Sequence, residues 1–348
     1  MKALVLTAVR KLEIQEVEQP SITRPDDVLV RIRSCGICGS DLHGYTGQTG
    51  RRKPPLIMGH EAAGEVVETG PAVTTLHPGD GVAIQPWVTC GVCPACIDGR
   101  HLWCPQRSLM GMNGPGGFAE YLVCPSVNLF PIPPGVSYLH AALTEVSAVA
   151  LHAVSLVRFR PLQTAAVIGT GTVGLLLLAI LRLMGLRKLI AIDTDAGRLR
   201  VAQEVGADLV LDASSEDVVR ACLQVVGGVG VDHVFEAVGV PATFQNSIAL
   251  ARQGGQAIWI GNNQPYAEID VQSVVTREIT ILPSYAFTMV EFGRALDLLA
   301  TGTIPADRII TRQATLDEGP DLFEELLKRS EIIKSVFHSQ DASGPQAT

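Results

Sequence analysis

The chain has 348 residues, of which 47% are hydrophobic and 18% are charged, and its formal net charge is −8. This length suggests two domains, each able to bury its own core, and the composition excludes an intrinsically disordered chain. The negative charge argues against nucleic acid and anionic membranes as partners, because both attract a basic surface.

Residues 1–148 are predicted to form an all-β domain. Short runs of alternating apolar and polar residues recur along this part, and turn signals such as PDD and HPGDG bound them. Alternation with a period of two is typical of half-buried strands. A distorted β-barrel is therefore expected. The predicted strands are KALVL, DVLVRIR, GEVVE, GVAIQ and AEYLV.

Residues 149–283 change to an alternation of strands and helices. Apolar runs such as TAAVIG and KLIAID are each followed by a helical pattern, TVGLLLLAILRLMG and AGRLRVAQEVG. Buried strands that alternate with helices predict a parallel, doubly wound sheet. The further runs of this part are ADLVLD, SEDVVRACLQVVG, VDHVFEAVG and QAIWIG.

Residues 284–348 are expected to return to the β domain. MVEFGRALDLLATG has the pattern of an amphipathic helix that ends at Gly302, and SEIIKSVFHS is typical of a last strand. The terminal HSQDASGPQAT is expected to be loosely held.

The sequence has no recognisable signal peptide or membrane-spanning segment, and this limits the expected cellular compartment. The N-terminal residues become charged too early for a signal peptide, and the most apolar run, Val173–Leu181, is too short to span a bilayer. We therefore expect a cytoplasmic protein. In that compartment the eight cysteines are not expected to form disulfides, and clustered cysteines indicate metal binding or catalysis.

The strongest local motif is CGVCPACIDGRHLWC, with the spacing C-x2-C-x2-C-x7-C. Four nearby thiolates can complete a tetrahedral shell around Zn²⁺ with no open position, which indicates a structural site. An iron–sulfur cluster also uses four thiolates, but its ferredoxin-type run has x3 where this chain has x7. Unconnected free cysteines are the remaining alternative. The predicted ligands are Cys90, Cys93, Cys96 and Cys104.

The second motif is VIGTGTVG, in which Gly169, Gly171 and Gly174 have the spacing G-x-G-x-x-G. It follows a predicted strand and opens an apolar helix, the context in which this spacing indicates dinucleotide binding. The glycines allow a tight turn, a close approach to the pyrophosphate, and close packing of helix on strand. The phosphates then lie at the helix N-terminus.

The cofactor is expected to be NAD. The strand after the glycine motif ends in Asp193, where a carboxylate accepts hydrogen bonds from the ribose hydroxyls of NAD and repels the 2′-phosphate of NADP. Arg198 leaves NADP open as the less favoured choice, since an arginine could brace a ribose or meet a phosphate. The predicted cofactor site also includes Thr172, Val173, Val238 and Gly261.

A third group of candidates is dispersed along the β domain. Cys35 and Cys38 could be a redox pair, half of a metal site, or unrelated cysteines, and a lone histidine such as His60 is more often a core residue than a ligand. Cys38, His60 and Glu145 gain weight together, because these are the ligand types that hold a catalytic zinc with one position open.

These motifs, in this order and over nearly the whole chain, resemble the zinc-dependent medium-chain dehydrogenases. The similar branch contains sorbitol, threonine, butanediol and sugar-alcohol-phosphate dehydrogenases. The resemblance implies a GroES-like β domain with an inserted Rossmann domain, a catalytic and a structural zinc per chain, and a homodimer or homotetramer. The implied reaction is NAD-dependent oxidation of a secondary alcohol or polyol.

The resemblance also implies roles for single residues. Cys38 and His60 correspond to ligands of the catalytic zinc, and Glu61 corresponds to a carboxylate that can approach the metal. Glu145 falls where polyol-type members place a ligating glutamate, although they usually show Glu-Pro and here Val146 follows.

Ser40 and His43 correspond to a hydroxyl–histidine relay that carries the substrate proton away; without the resemblance, they would be a turn residue and a surface residue. Since the four-cysteine motif is complete without it, Cys35 is expected to be a bystander packed under the loop. Arg51-Arg52-Lys53 is interpreted as a solvated loop. The alternative is that these cations bind the phosphate of a sugar-alcohol phosphate substrate.

Two other functions remain open at this point. A zinc-free quinone or enone reductase shares the fold but has no need of the Cys38, His60 and Glu145 set. A non-catalytic redox or metal-binding adaptor would use the Cys35/Cys38 pair and would bind no NAD.

Overall fold

The computed structural model describes residues 1–328 and 331–339. Most of the terminus that we expected to be loose, from residue 340 onward, lies outside the described residues, as does Ser330 at the start of the predicted last strand. The chain forms two compact units. The first contains Met1–Ala148, Thr288–Gly302 and the chain from Ala306, and the second contains Val149–Phe287 and Thr303–Pro305.

The first unit is built mainly of strands, and those predicted from alternation are confirmed as β1, β3, β5, β6 and β9. Its strands are β1 Lys2–Ala8, β2 Lys11–Glu16, β3 Asp27–Ile37, β4 Leu56–Ile57, β5 Glu61–Thr69, β6 Gly81–Ile84, β7 Trp87–Val88, β8 Ser108–Leu109, β9 Tyr121–Pro125, β10 Leu129–Pro131, β17 Ile310–Ala314 and β18 Lys334–His338.

The central strand of this unit is β3. It pairs antiparallel with β5, with β9 and, near its C-terminal end, with β18. These strands belong to a seven-stranded sheet in which β10, β6, β5, β3, β18 and β17 are neighbours in that order. The sheet buries a core that includes Val28, Val30, Phe118 and Phe337. The end of β3 therefore meets both β5 and the C-terminal strand.

The helices of the first unit are short, apart from α10 and the shared α4. They are α1 Gly39–Tyr45, α2 Pro94–Ile97, α3 Tyr138–Ala141, α4 Thr144–Ser155 (which continues into the second unit), α10 Met289–Ala300, α11 Ala306–Ile309 and α12 Gly319–Leu326. The predicted amphipathic helix is α10, and Gly302 follows it in a left-handed conformation.

The second unit is a parallel sheet, which confirms the predicted doubly wound fold. Its strands are β11 Thr164–Ile168, β12 Lys188–Asp193, β13 Leu209–Asp212, β14 Val231–Glu236, β15 Ala251–Trp259 and β16 Thr280–Pro283. Its helices are α5 Thr172–Leu181, α6 Ala196–Val205, α7 Val218–Val225, α8 Pro241–Leu250 and α9 Val271–Thr276.

The strands of this sheet lie in the order β13-β12-β11-β14-β15-β16. The order reverses between β11 and β14, and ligands of such sheets bind at that switch point, outside the carboxyl ends of the strands. All five residues of β11 are buried, as expected for a central parallel strand. The glycine motif joins β11 to α5 and therefore lies at the switch point.

Among the described residues, no helix combines the length and the apolarity needed to cross a bilayer.

The glycine motif generates a prediction about stability. A Cβ added to Gly174 would lie 1.8 Å from the carbonyl oxygen of Gly169, whereas one added to Gly171 would meet nothing closer than Arg198 Nη1 at 3.9 Å. We expect Gly174→Ala to lower the free energy of unfolding by about 1–3 kcal/mol through overpacking. Gly171→Ala is the matched control and should change it by less than about 0.5 kcal/mol. Denaturant unfolding measures both, and equal stability of the two variants would contradict the close packing of α5 on β11.

Candidate active site

Cys38 is fixed by the first turn of α1, which begins directly after it. The Ser40 backbone N–H donates to Cys38 Sγ at 3.5 Å, and the Asp41 carboxylate accepts from the Cys38 backbone N–H at 3.0 Å. This reciprocal capping box holds the Cys38 side chain at the start of the helix.

His60 and Glu61 reach the same place from the start of β5. Gly59, with φ +93°, makes the turn before them, and a Cβ there would lie 2.5 Å from the Phe118 ring. His60 and Glu61 are buried. One ligand atom from each of Cys38, His60 and Glu61 lies within 4.8 Å of the others. The structure thus brings together a sulfur, an imidazole nitrogen and a carboxylate oxygen from two segments.

Glu61 is paired with a lysine from the C-terminal strand. Lys334 Nζ donates to Glu61 Oε2 and also, at 3.0 Å, to the Ile37 carbonyl. Burial alone would lower the pKa of Lys334, but the charge and hydrogen bond of Glu61, together with the charges of Cys38 and Glu145, raise it. The other oxygen, Glu61 Oε1, is buried and accepts no hydrogen bond from the described residues. It is therefore available to a further ligand.

His60 faces the buried carboxylate of Asp41. The distance from His60 Nδ1 to Asp41 Oδ1 is 3.4 Å. Burial acts to raise the pKa of Asp41, but the charges of His60 and Arg52 lower it to about 2. Burial acts to lower the pKa of His60, but Asp41 and Cys38 together raise it. Asp41 is thus an ionised partner of the imidazole, close enough for an ion pair although His60 Nδ1 makes no regular hydrogen bond among the described residues.

Glu145 lies near this cluster but outside the 4.8 Å group of three. It is in the first turn of α4 and is buried. Burial is the main cause that raises the pKa of its carboxyl to about 7, and the charge of Glu61 acts in the same direction. His60 and Lys334 act in the opposite direction. The carboxyl is therefore electrostatically part of the cluster.

Ser40 and His43 lie on α1, and both are half-buried. They are not hydrogen-bonded to each other in the described part of the chain. Ser40 Oγ accepts from Arg52 Nη2 at 3.1 Å. Burial, and then the charge of Arg52, lower the pKa of His43.

The interpretation of Arg51-Arg52-Lys53 as a solvated loop is wrong for Arg52. Its side chain is buried and donates to Ser40 and Asp41, whereas Arg51 and Lys53 are exposed. A buried guanidinium needs partners that offset its desolvation, and the start of α1 supplies them.

The structure also brings together the four cysteines that were predicted to bind a metal in the lobe. The four cysteines are not in disulfides, and their sulfur atoms lie within 4.8 Å of one another. Backbone N–H groups of Val92 and Cys93 donate to Cys90 and lower its pKa to about 6. The only regular structure between the first and last cysteine is α2 and a 3₁₀ turn, His101–Trp103. The lobe therefore has little regular secondary structure of its own.

Asp193 lies at the end of β12, beside the glycine turn. Its Oδ2 accepts from Thr170 N at 2.6 Å and from Thr170 Oγ1 at 2.9 Å. Its Oδ1 accepts from the backbone N–H groups of Thr194 and Asp195 at 2.7 and 3.0 Å. Asp193 therefore ties the glycine turn to the next strand. Arg198 reaches back to the same turn, since its Nη1 would be the nearest atom to a Cβ on Gly171.

Val238 and Gly261 lie on turns after β14 and β15, and Glu236 holds both turns. Glu236 Oε1 accepts from the N–H groups of Val238 and Gly239 at 2.9 and 2.8 Å, and its carbonyl accepts from Gly261 at 3.0 Å. Thr172 and Val173 form the first turn of α5. The predicted cofactor residues thus surround the carboxyl ends of adjacent strands.

Sequence reasoning missed Asp41, Arg52, Lys334 and Glu236. Asp41 carried a usable signal, because a polar residue three after Cys38 has the spacing of a capping box. Lys334 is a lone charge in an apolar strand, which is also informative. The sequence held no signal for the burial of Arg52, because its two neighbours are exposed cations.

Comparison with known proteins identifies matching families in both parts of the chain. The family model described as the alcohol dehydrogenase GroES-like domain matches residues 24–134. The model described as zinc-binding dehydrogenase matches residues 172–301.

Curated relatives match along nearly the whole length. Sorbitol dehydrogenase of Bacillus subtilis (strain 168) is 33% identical over 344 residues, with 97% of each chain covered. D-arabitol-phosphate dehydrogenase of Enterococcus avium is 32% identical over 311 residues, with 88% of each covered. A crystal structure of a Sinorhizobium meliloti 1021 protein, assigned there to the zinc-binding dehydrogenases and bound to NADP, has a TM-score of 0.91 at 36% identity and covers 97% of this chain and 99% of its own.

The Glu61–Lys334 pair generates a prediction about stability. Lys334→Met leaves the Glu61 carboxylate buried without its cation, and such changes cost about 3–5 kcal/mol. Glu61→Gln in the same chain removes the uncompensated charge and should recover much of that loss. Denaturant unfolding of the two single variants and the double variant gives the coupling between the residues. Purely additive losses would show that the pair does not act as a unit.

Proposed function

Because the chain belongs to the zinc-dependent medium-chain alcohol dehydrogenase family, we propose that it oxidises a secondary alcohol or polyol to the ketone with NAD as the hydride acceptor. The observation that carries this proposal is the convergence of Cys38, His60 and Glu61. A zinc-free reductase of the same fold has no use for that set.

The residues at this cluster fit a catalytic zinc. Thiolate, imidazole and carboxylate are zinc ligands, and three protein ligands leave a position for substrate. The buried Glu61 Oε1, which has no donor among the described residues, also suits a cation. We assign Cys38 and His60 as ligands, with Glu61 and Glu145 as the carboxylates that can join them. A bound zinc supplies Lewis acidity that makes the substrate hydroxyl more acidic.

The four-cysteine lobe is assigned a structural zinc. Its four sulfur atoms can close a tetrahedral shell, and the lobe has little secondary structure of its own. The ligands are Cys90, Cys93, Cys96 and Cys104.

Ser40 and His43 are assigned to the removal of the substrate proton. A hydroxyl can accept one proton and donate another, so Ser40 can pass a proton on. Burial and the Arg52 charge lower the pKa of His43, so its ring is neutral at physiological pH and can accept a proton.

The glycine turn and Asp193 are assigned to NAD. The helix N-terminus and the backbone at Gly171 suit a pyrophosphate, and the Asp193 carboxylate disfavours a 2′-phosphate. Because Arg198 lies at the same turn, NADP is the alternative to test. Bound NAD supplies the hydride acceptor, and the protein supplies orientation and electrostatics.

The proposed function is tested by NAD and NADP reduction with free polyols, phosphorylated polyols, threonine and vicinal diols, with zinc measured in parallel. Two zinc ions per chain and reduction of NAD by an alcohol are expected. No reduction by zinc-replete protein would overturn the proposed activity, and a single zinc would leave only the structural site.

Paired variants separate the two neighbouring cysteines in the same assay. Cys38→Ser should lose one zinc and the turnover. Cys35 is buried against Gly59 and Gly117 and has no place in the ligand group. Cys35→Ala should therefore keep both zinc ions and most of the turnover, at some loss of stability. Equal loss of zinc in both variants would contradict the assignment.

Gly171→Ala tests the cofactor site separately from the metal. A Cβ there has room in the protein but stands where the pyrophosphate would approach the backbone. Loss of a hydrogen bond to a charged group costs about 1.5–3 kcal/mol. The Kd for NAD should then rise about 10- to 150-fold, with zinc content unchanged. Calorimetric titration measures it, and an unchanged Kd would place the pyrophosphate elsewhere.

A further inference from the structure

Arg52 is a buried cation in a segment whose neighbouring residues are exposed. It is 6% exposed, while Arg51 and Lys53 on either side face solvent. Its Nη1 donates to the Ser40 carbonyl at 2.7 Å. Its Nη2 donates to Ser40 Oγ at 3.1 Å and to Asp41 Oδ1 at 2.8 Å. One guanidinium therefore contacts the backbone and the hydroxyl of Ser40 and the carboxylate of Asp41.

Helix α1 has a glycine where the Arg52 side chain packs against it. Gly44, one turn after Ser40 on α1, has no Cβ, and a Cβ there would lie 2.2 Å from Arg52 Cδ and 3.1 Å from Arg52 Nε. An alanine would displace the methylene stem, so the glycine is required by packing. This gives a second way to move the guanidinium without removing it.

We propose that Arg52 is a positioning residue of the active site, which orients the Ser40 hydroxyl for proton transfer and holds the Asp41 carboxylate against His60. The proposal rests on the proposed dehydrogenase function for its first part. The second part concerns the metal ligand His60 and can be measured without turnover.

The chemistry of the hydroxyl supports the first part. A serine hydroxyl has one donor and two acceptor positions, and an arginine only donates. Arg52 therefore occupies one acceptor position of Ser40, and the O–H of Ser40 must point to another group. One acceptor and one donor remain, which is what a relay needs.

The transfer is balanced in protons and electrons. Bound NAD would accept the hydride, with its electron pair, from the carbon of the alcohol. The hydroxyl proton of the alcohol forms a bond to Ser40 Oγ, while the original Ser40 O–H bond breaks and that proton passes to His43 or to water. Ser40 ends the step with one hydrogen, as it began.

The geometry at Asp41 supports the second part. Nη2 binds Asp41 Oδ1, the oxygen that lies 3.4 Å from His60 Nδ1. The other oxygen accepts from the Cys38 backbone. Asp41 thus touches both assigned ligand segments, and Arg52 fixes its rotation. Loss of such outer partners costs about 10- to 100-fold in metal affinity or activity.

The test compares Arg52→Met, Arg52→Lys and Gly44→Ala with the control Arg51→Met, which removes an equal charge from the exposed neighbour. For each, kcat and KM are measured with an unphosphorylated polyol, and zinc affinity is measured by competition with a chelator. Arg52→Met should lower kcat and zinc affinity about 10- to 100-fold each, with the KM for NAD unchanged.

The other variants refine the expectation. Arg52→Lys keeps the charge but not the planar fork and should recover only part of both losses. Gly44→Ala should resemble Arg52→Lys, and Arg51→Met should match the parent chain. With zinc saturating, so that metal loss does not contribute, Ser40→Ala combined with Arg52→Met should have a kcat no lower than Ser40→Ala alone, because both changes remove one relay.

Several outcomes would overturn the proposal. If the losses of kcat multiply in the double variant when zinc is saturating, Arg52 does not act through Ser40. Unchanged kcat and zinc affinity in folded Arg52→Met, with only a lower unfolding midpoint, would leave Arg52 a structural residue. If the parent chain oxidises no alcohol, the proposed function fails. Zinc affinity then decides the role of Arg52: a 10- to 100-fold loss in Arg52→Met supports it, and no loss rejects it.

Discussion

The buried ion pair between Glu61 and Lys334 links the N-terminal segment of the first unit to its C-terminal strand. The residues are 273 positions apart, and they meet because β18 pairs with the end of β3 while β5 pairs with the same strand on its other side. A Cβ on Gly36 would lie 2.0 Å from Glu61 Oε2, so β3 has a glycine where the pair crosses it. Removal of either charge would leave the other buried. The first unit therefore completes the cluster only when its C-terminal strand is in place.

Asp41 likewise links separate segments, here within the N-terminal segment of the first unit. Its carboxylate caps α1 at Cys38, faces His60 and accepts from Arg52. Burial acts to raise the pKa of this carboxylate, but His60 and Arg52 lower it to about 2, so it stays ionised throughout the physiological pH range. It therefore orients the imidazole with a constant charge.

Features that are local in sequence could be predicted, and features that depend on distant pairing could not. The glycine motif and the cysteine lobe each lie within fifteen residues, so their chemistry was indicated by spacing and, for the glycines, by the strand before them and the helix after them. Alternation indicated the strands because each β-strand has one face in the core. Lys334 could not be assigned to Glu61, because only the register of β18 on β3 brings them together. Arg52 could not be separated from its exposed neighbours, because burial of one cation in a charged run depends on Gly44 and α1.

The charges around the assigned metal ligands explain why Glu145 differs from the other carboxylates. Asp41 is neutralised by Arg52, and Glu61 is neutralised by Lys334. Glu145 forms no ion pair with a lysine or arginine among the described residues, and burial raises its pKa to about 7 against the opposing charges of His60 and Lys334, so at pH 7 its neutral and ionised forms are both well populated. A zinc ligand cysteine is a thiolate, and an ionised Glu145 would add a second negative charge. A dication balances those two charges, whereas a neutral His60 adds none. The proposed zinc would therefore favour the ionised form of Glu145.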